Sequence, residues 1–136
     1  MTRDEAATLL TQRGVLPTAQ RIDIALLTLA QPQHMSAEQI IAAIRTNGLS
    51  ISKATVYNTL NLFHEQGLLR TVDVDPTRQF YDSSTGPHHH FYNVDTGELT
   101  DIPPESVSLQ VDTALPAGTE QAGVDVVVRV RGRRAG

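Results

Sequence analysis

The sequence predicts an α+β fold: an N-terminal winged helix-turn-helix over residues 1–82, followed by a small C-terminal α/β domain over residues 83–136. Apolar residues recur at helical spacing through the front half, and from Leu68 the period changes to the alternation of strands. The charge changes nearby. Residues 1–71 carry six basic and five acidic side chains, whereas residues 72–125 carry ten acids against the single base Arg78. The last eleven residues add Arg129, Arg131, Arg133 and Arg134, which brings the 136-residue chain to a net charge of −4. A length of 136 residues fits one small domain or two very small ones sharing a chain.

Each helix is announced by its ends. Thr2 or Asp4 opens the first, with Ala6, Leu9 and Leu10 on one face and Gly14 as the stop. Thr18 caps the second, in which Ile22, Ala25, Leu26 and Leu29 share a face, and Pro32 ends it. Ser36 with Gln39 three places on is a capping box for the third, whose apolar face is Ala37, Ile40, Ile41 and Ile44 before Asn47-Gly48. Ser52 caps the fourth, with Val56, Leu60 and Phe63 inward and Gly67 at its end. Leu68 to Val74 then reads as a strand, Asp75-Pro76-Thr77 as a turn, and Arg78 to Asp82 as the returning strand. In the rear half, His89 to Val94 and Glu98 to Ile102 flank the turn Asp95-Thr96-Gly97. Val124 to Val130 is β-prone, and the alternation of Val107, Leu109 and Val111 favours a strand over Ser106 to Leu115. So small a sheet cannot hide both faces alone, which predicts pairing with a second copy.

Composition narrows the chemistry. Hydrophobic residues make up 40% of the chain, too many for a disordered protein. Cysteine is absent, which excludes disulfides, thiolate nucleophiles, cysteine-ligated clusters and cysteine-based zinc sites. No apolar run approaches the roughly 18–20 residues of a membrane span. Asp4 and Glu5 stand where a secretory leader would be basic, so the expectation is a cytoplasmic protein with no membrane partner.

Two constellations carry function. The leading turns of the fourth helix present Ser52, Lys53, Thr55, Tyr57, Asn58 and Asn61 at angles away from the buried face. A recognition helix reads base edges with its N-terminal side chains; the other reading of this pattern is a solvated face of a three-helix bundle. The second constellation is His88-His89-His90, three of the five histidines, inside the chain. On a strand His88 and His90 share one face and His89 takes the other. Two imidazoles on one face suit iron, zinc, copper or nickel, or they simply form an exposed polar strand end. Asp82, Asp101, His34 and His64 taken singly read as ordinary polar residues.

Together the motifs carry a resemblance. Pro17-Thr18-Ala19-Gln20-Arg21, His34-Met35-Ser36-Ala37-Glu38, Ala54-Thr55-Val56-Tyr57-Asn58-Thr59-Leu60 and His88-His89-His90, in that order, resemble the ferric uptake regulator superfamily of bacterial repressors. The segments His88-His89-His90-Phe91-Tyr92, Thr96-Gly97-Glu98-Leu99, Asp101-Ile102-Pro103 and residues 124–131 resemble its haem-responsive iron response regulator branch. The resemblance implies a homodimer of winged helices joined through C-terminal α/β domains, a regulatory metal site between the two domains, and double-stranded operator DNA as partner. It leaves open a tetramer on DNA. Carried across, the metal ligands are His34, Asp82, His88, His90 and Asp101, a set that fits Fe²⁺, Mn²⁺ or Zn²⁺. The DNA contacts are Lys53, Thr55, Tyr57 and Asn58, with Arg21 on phosphate and Arg13 a weaker candidate.

The departures from the family pattern are also informative. Asn93 and Thr96 stand where relatives hold the first cysteine pair of a structural zinc, so a structural zinc held by four cysteines is not expected. Pro87 and Ser108 replace ligands of a further metal site. The Cys-Pro haem motif of some members is absent, so haem as a regulatory ligand would have to use His88, His89 or His90. The leading expectation is therefore an iron- or haem-responsive transcriptional repressor and not an enzyme. The alternatives are a ferrous- or manganese-dependent or peroxide-sensing repressor without haem, a small non-haem metalloenzyme, and a metal or haem carrier without DNA affinity.

Overall fold

The computed structural model describes residues 1–75, 77–84 and 89–134, and it divides into two compact units, Met1–Thr85 and Gly86–Gly136. Elements follow in the order α1 (Arg3–Gln12), α2 (Ala19–Thr28), β1 (His34–Ser36), α3 (Ala37–Thr46), α4 (Lys53–Glu65), β2 (Arg70–Asp75), β3 (Arg78–Asp82), β4 (His89–Asn93), β5 (Leu99–Ile102), a 3-10 turn (Pro104–Ser106) and β6 (Val127–Val130). Helices and sheets together make the α+β class. The four helices and the β2–β3 hairpin are the winged helix-turn-helix.

The helices begin where their caps stand. Thr2 Oγ1 accepts from the Glu5 amide at 3.1 Å, and Glu5 Oε1 accepts from the Thr2 amide at 3.2 Å. Those hydrogen bonds to Thr2 hold the Glu5 carboxyl below its usual range. Thr18 accepts from the Arg21 amide, Ser52 from the Thr55 amide, and Ser36 closes a full capping box with Gln39. Helix α4 stops at Gln66 because Gly67 takes φ +75°, a conformation costly for any residue with a Cβ.

Inside the first unit, Leu10, Ile24, Ile40, Ile44, Leu60 and Phe63 are essentially solvent-free. Each contributes about 1.5–3 kcal/mol of burial. The predicted face of α2 is rotated: Ile24, Ala25 and Thr28 are buried, while Ile22, Leu26 and Leu29 pack only at its margin. The helix also ends at Thr28, ahead of Pro32, and releases the chain to form β1. Strand β1 is absent from the sequence expectation. It completes an antiparallel sheet of order β1-β3-β2, in which His34 faces Asp82, Met35 faces Tyr81 and Ser36 faces Phe80. Burial pushes the Tyr81 hydroxyl above its ordinary value, with charge at Tyr57, Glu38 and Asp73 adding to the effect. Pro76, at the tip of the predicted turn, lies outside the described residues.

The second unit is a three-stranded sheet of order β5-β4-β6, antiparallel between β4 and β5 and parallel between β4 and β6. The Asp95-Thr96-Gly97 turn forms as predicted: Asn93 Oδ1 accepts from the amides of Asp95 and Thr96, and Gly97 takes φ +75°. The strand expected over Ser106 to Leu115 does not form. Leu109, Val111 and Leu115 are 59%, 61% and 49% exposed, so their alternation faces no sheet partner. The last strand starts at Val127, three residues later than expected at Val124. Among the described residues no helix is long and apolar enough to cross a membrane.

Candidate nucleic-acid interface and metal ligands

Helix α4 presents the predicted reading residues at its leading turns. Lys53, its first residue, is exposed, as are Tyr57 (40% exposed) and Asn58. Thr55 is half-buried, and its Oγ1 accepts from Ser52 Oγ at 2.9 Å, so its hydroxyl is already engaged in the cap. No acid lies in the first turn of α4 or of α2. Both helix starts therefore keep the positive end of the helix dipole uncompensated, the polarity that favours an approaching anion. Arg21 is half-buried and donates through Nη1 to the Leu16 carbonyl at 3.0 Å, which fixes its guanidinium beside the start of α2. Arg13 caps the end of α1 and is exposed.

Thr18, the cap of α2, and Gln20 and Arg21 in it meet Thr55, Asn58 and Thr59 from α4 around a hollow of about 220 Å³. Gln20 and Thr59 were not among the residues expected to function. Thr59 sits in the buried stripe of α4 with Val56, Leu60 and Phe63. A hydroxyl interrupting an otherwise apolar face was the signal available in the sequence.

The ligand candidates fall into two cross-strand pairs, one in each unit. In the first unit, His34 on β1 stands directly opposite Asp82 on β3. Directly opposed residues hold their Cβ atoms roughly 4.5–5.5 Å apart on one face of the sheet. Asp82 is only 1% exposed, a carboxylate almost wholly withdrawn from water, and one of its oxygens accepts from the Ser84 amide at 2.8 Å. The His34 ring meets Phe80 edge-on at a centroid distance of 6.4 Å. In the second unit, His90 on β4 stands opposite Asp101 on β5, with His90 Nε2 3.4 Å from Asp101 Oδ1. His90 is 4% exposed, while the Asp101 side chain is 53% exposed. An imidazole nitrogen and a carboxylate oxygen sharing a sheet face are the donors a borderline divalent ion takes, so these residues fit Fe²⁺, Mn²⁺ or Zn²⁺.

His88 lies outside the described residues. His89 is described, and its geometry counts against it. Its Nδ1 accepts from the Val126 amide at 2.9 Å. A ring nitrogen that accepts a backbone N–H carries no proton, so in the neutral imidazole the proton sits on Nε2. That hydrogen bond occupies the Nδ1 lone pair of His89. His64, by contrast, donates from Nδ1 to the Leu69 carbonyl at 3.1 Å and serves to anchor the end of α4.

A winged helix with a polar recognition helix, followed by a small sheet unit, with a histidine–carboxylate pair in each unit, is the build of a metal-responsive transcription regulator. The ferric uptake regulator family matches residues 12–127, and the chain belongs to that family. It is 31% identical over 121 residues to the ferric uptake regulation protein of Pseudomonas fluorescens, covering 87% of this chain and 94% of that one. It is 30% identical over 99 residues to the peroxide-responsive repressor PerR of Staphylococcus saprophyticus, covering 73% and 67%. The structure of the ferric uptake regulator from Pseudomonas aeruginosa with manganese is similar at a TM-score of 0.68 and 26% identity, over 98% of this chain and all of the other. Members of the family are metal-dependent transcription regulators, not enzymes, and bind operator DNA as dimers. The metalloenzyme alternative falls with that assignment.

Proposed function

We propose that this regulator senses iron, through Fe²⁺ or a like divalent ion held by His34, Asp82, His88, His90 and Asp101, and that occupancy of this set changes its affinity for operator DNA. The observation that carries the reading is the pair of cross-strand His–Asp couples, His34 with Asp82 and His90 with Asp101. Each places nitrogen and oxygen donors together, and each holds one member away from water. Lys53, Thr55, Tyr57 and Asn58 read the DNA and Arg21 holds its backbone. A second copy of the chain covers the sheet face on which Phe91, Val128 and Val130 are left exposed. A protein that works on the chromosome of a bacterium works in its cytoplasm.

Haem is the second reading, and the run His88-His89-His90 favours it. With His89 Nδ1 engaged by the Val126 amide, His88 or His90 would hold the haem.

The test separates the two. Fe²⁺ or Mn²⁺ added anaerobically to metal-free protein is expected to bind and to shift operator retention in a gel, and His90→Ala is expected to abolish both changes. Hemin is added in parallel. A Soret band lost in His90→Ala, with no response to Fe²⁺ or Mn²⁺, would replace the divalent-ion reading with the haem one. No response to either ligand overturns both.

A further inference from the structure

The hollow between the starts of α2 and α4 contains a hydroxyl with nothing to bond. Thr59 is 5% exposed and lines the hollow. Among the described residues no hydrogen-bond partner meets its side chain. Three other helical threonines satisfy themselves locally: Thr8, Thr11 and Thr28 each donate to the carbonyl four residues back, at 2.8–2.9 Å. Thr59 does not take that bond, and a buried donor left without an acceptor is unfavourable. The rest of the lining supplies the remaining chemistry. Gln20 and Asn58 carry amide donors, and Thr18 and Thr55 carry hydroxyls. Arg21 uses one N–H on Leu16 and keeps four. No carboxylate lines the hollow. The amides of Ala19 and Gln20 open α2, where helix geometry gives them no intrahelical acceptor.

We propose that this hollow seats a single phosphate-type oxyanion, with the Thr59 hydroxyl donating to it from the floor and Arg21 neutralising it. The inference rests on the DNA-binding reading only for the source of that group, which is a backbone phosphate of the duplex or free inorganic phosphate. An oxyanion fits because every lining side chain can donate, the one formal charge is positive, and both helix starts lack acids. A phosphate held there carries no base identity, so the contribution of the Thr59 hydroxyl to DNA binding is independent of sequence.

The test uses the full chain, with Thr59→Val, which keeps the β-branched shape and removes the hydroxyl, and Thr59→Ser, which keeps the hydroxyl. Thr59→Val is expected to melt no lower than wild type, because the lost hydroxyl had no partner. A clearly lower melting temperature shows a structural bond and overturns the proposal. With the metal-loaded protein, Thr59→Val is expected to weaken operator and scrambled duplex equally, by about tenfold or more for the loss of a hydrogen bond to a charged group, with Thr59→Ser near wild type. A loss confined to the operator overturns it. Inorganic phosphate is titrated separately into DNA-free protein, reading amide chemical shifts at Gln20, Arg21 and Asn58. Saturable shifts that disappear in Thr59→Val, with DNA affinity unchanged, support the seat and make free phosphate its ligand. No change in either arm overturns it. If wild type retains no DNA under any metal condition, the functional reading fails, and the phosphate titration decides the seat alone.

Discussion

Lys53→Ala separates the use of α4 from its stability. Lys53 is the first residue of the helix, exposed, and among the described residues its side chain makes no hydrogen bond or ion pair. A cation there opposes the helix dipole, so replacing it with alanine is expected to stabilise the fold by about 0.3–1 kcal/mol. On DNA the same change is expected to do harm. Each lysine that neutralises a phosphate contributes about 0.9 to the slope of log affinity against log salt, so the two copies in a dimer contribute about 1.8. Between about 50 and about 200 mM salt, wild type would then lose roughly 12-fold more affinity than the variant. Fluorescence anisotropy on a labelled operator and on a scrambled duplex, each across that salt range, reads the slope. Urea unfolding of the same preparations reads the stability. Equal slopes for wild type and variant would refute a phosphate contact by Lys53 in addition to its place on the reading helix. A variant less stable than wild type would refute the argument about the helix dipole.

Two further outcomes concern the scaffold. Ser36→Ala removes the cap of α3 from a position only 5% exposed and is expected to cost about 1–2 kcal/mol in denaturant unfolding, while Ser36→Asp keeps most of it. Tyr81 is expected to ionise above the ordinary tyrosine value in an ultraviolet titration, because burial favours its neutral form. Its pKa is raised in the folded state, so its contribution to stability is complete below the ordinary tyrosine value of 10.0 and is lost as pH rises through the folded one. A Tyr81→Phe variant whose stability falls with the same alkaline profile as wild type would contradict that assignment.

Local signals were legible and long-range ones were not. Thr18, Ser36 and Ser52 announced three helix starts because capping acts within four residues. The Asn93 side chain and Gly97 likewise build their turn from neighbours. Strand β1 was invisible because its three residues gain their pairing from β3, more than forty residues downstream. The alternation of Val107, Leu109 and Val111 misled for the converse reason: the pattern is present and no strand lies beside it. In α2 the apolar residues cover most of the circumference, so periodicity could not choose between Ile22 and Ile24 as the inward position. At the candidate metal ligands, the residue types were readable from the chain. The opposition of His34 to Asp82 and of His90 to Asp101 needed the register of the sheets. The tautomer of His89 depends on an amide 37 residues away and leaves no local trace.

Ser36 belongs to two elements at once: it is the last residue of β1, paired with Phe80, and the cap of α3. His34 is therefore tied to the helical core by a two-residue tether with no loop to absorb strain. The backbone that carries His34 runs without interruption into the helix whose Ile40 and Ile44 are buried in the core. A ligand gripping that imidazole thus needs no separate transmission to be felt in the body of the winged helix.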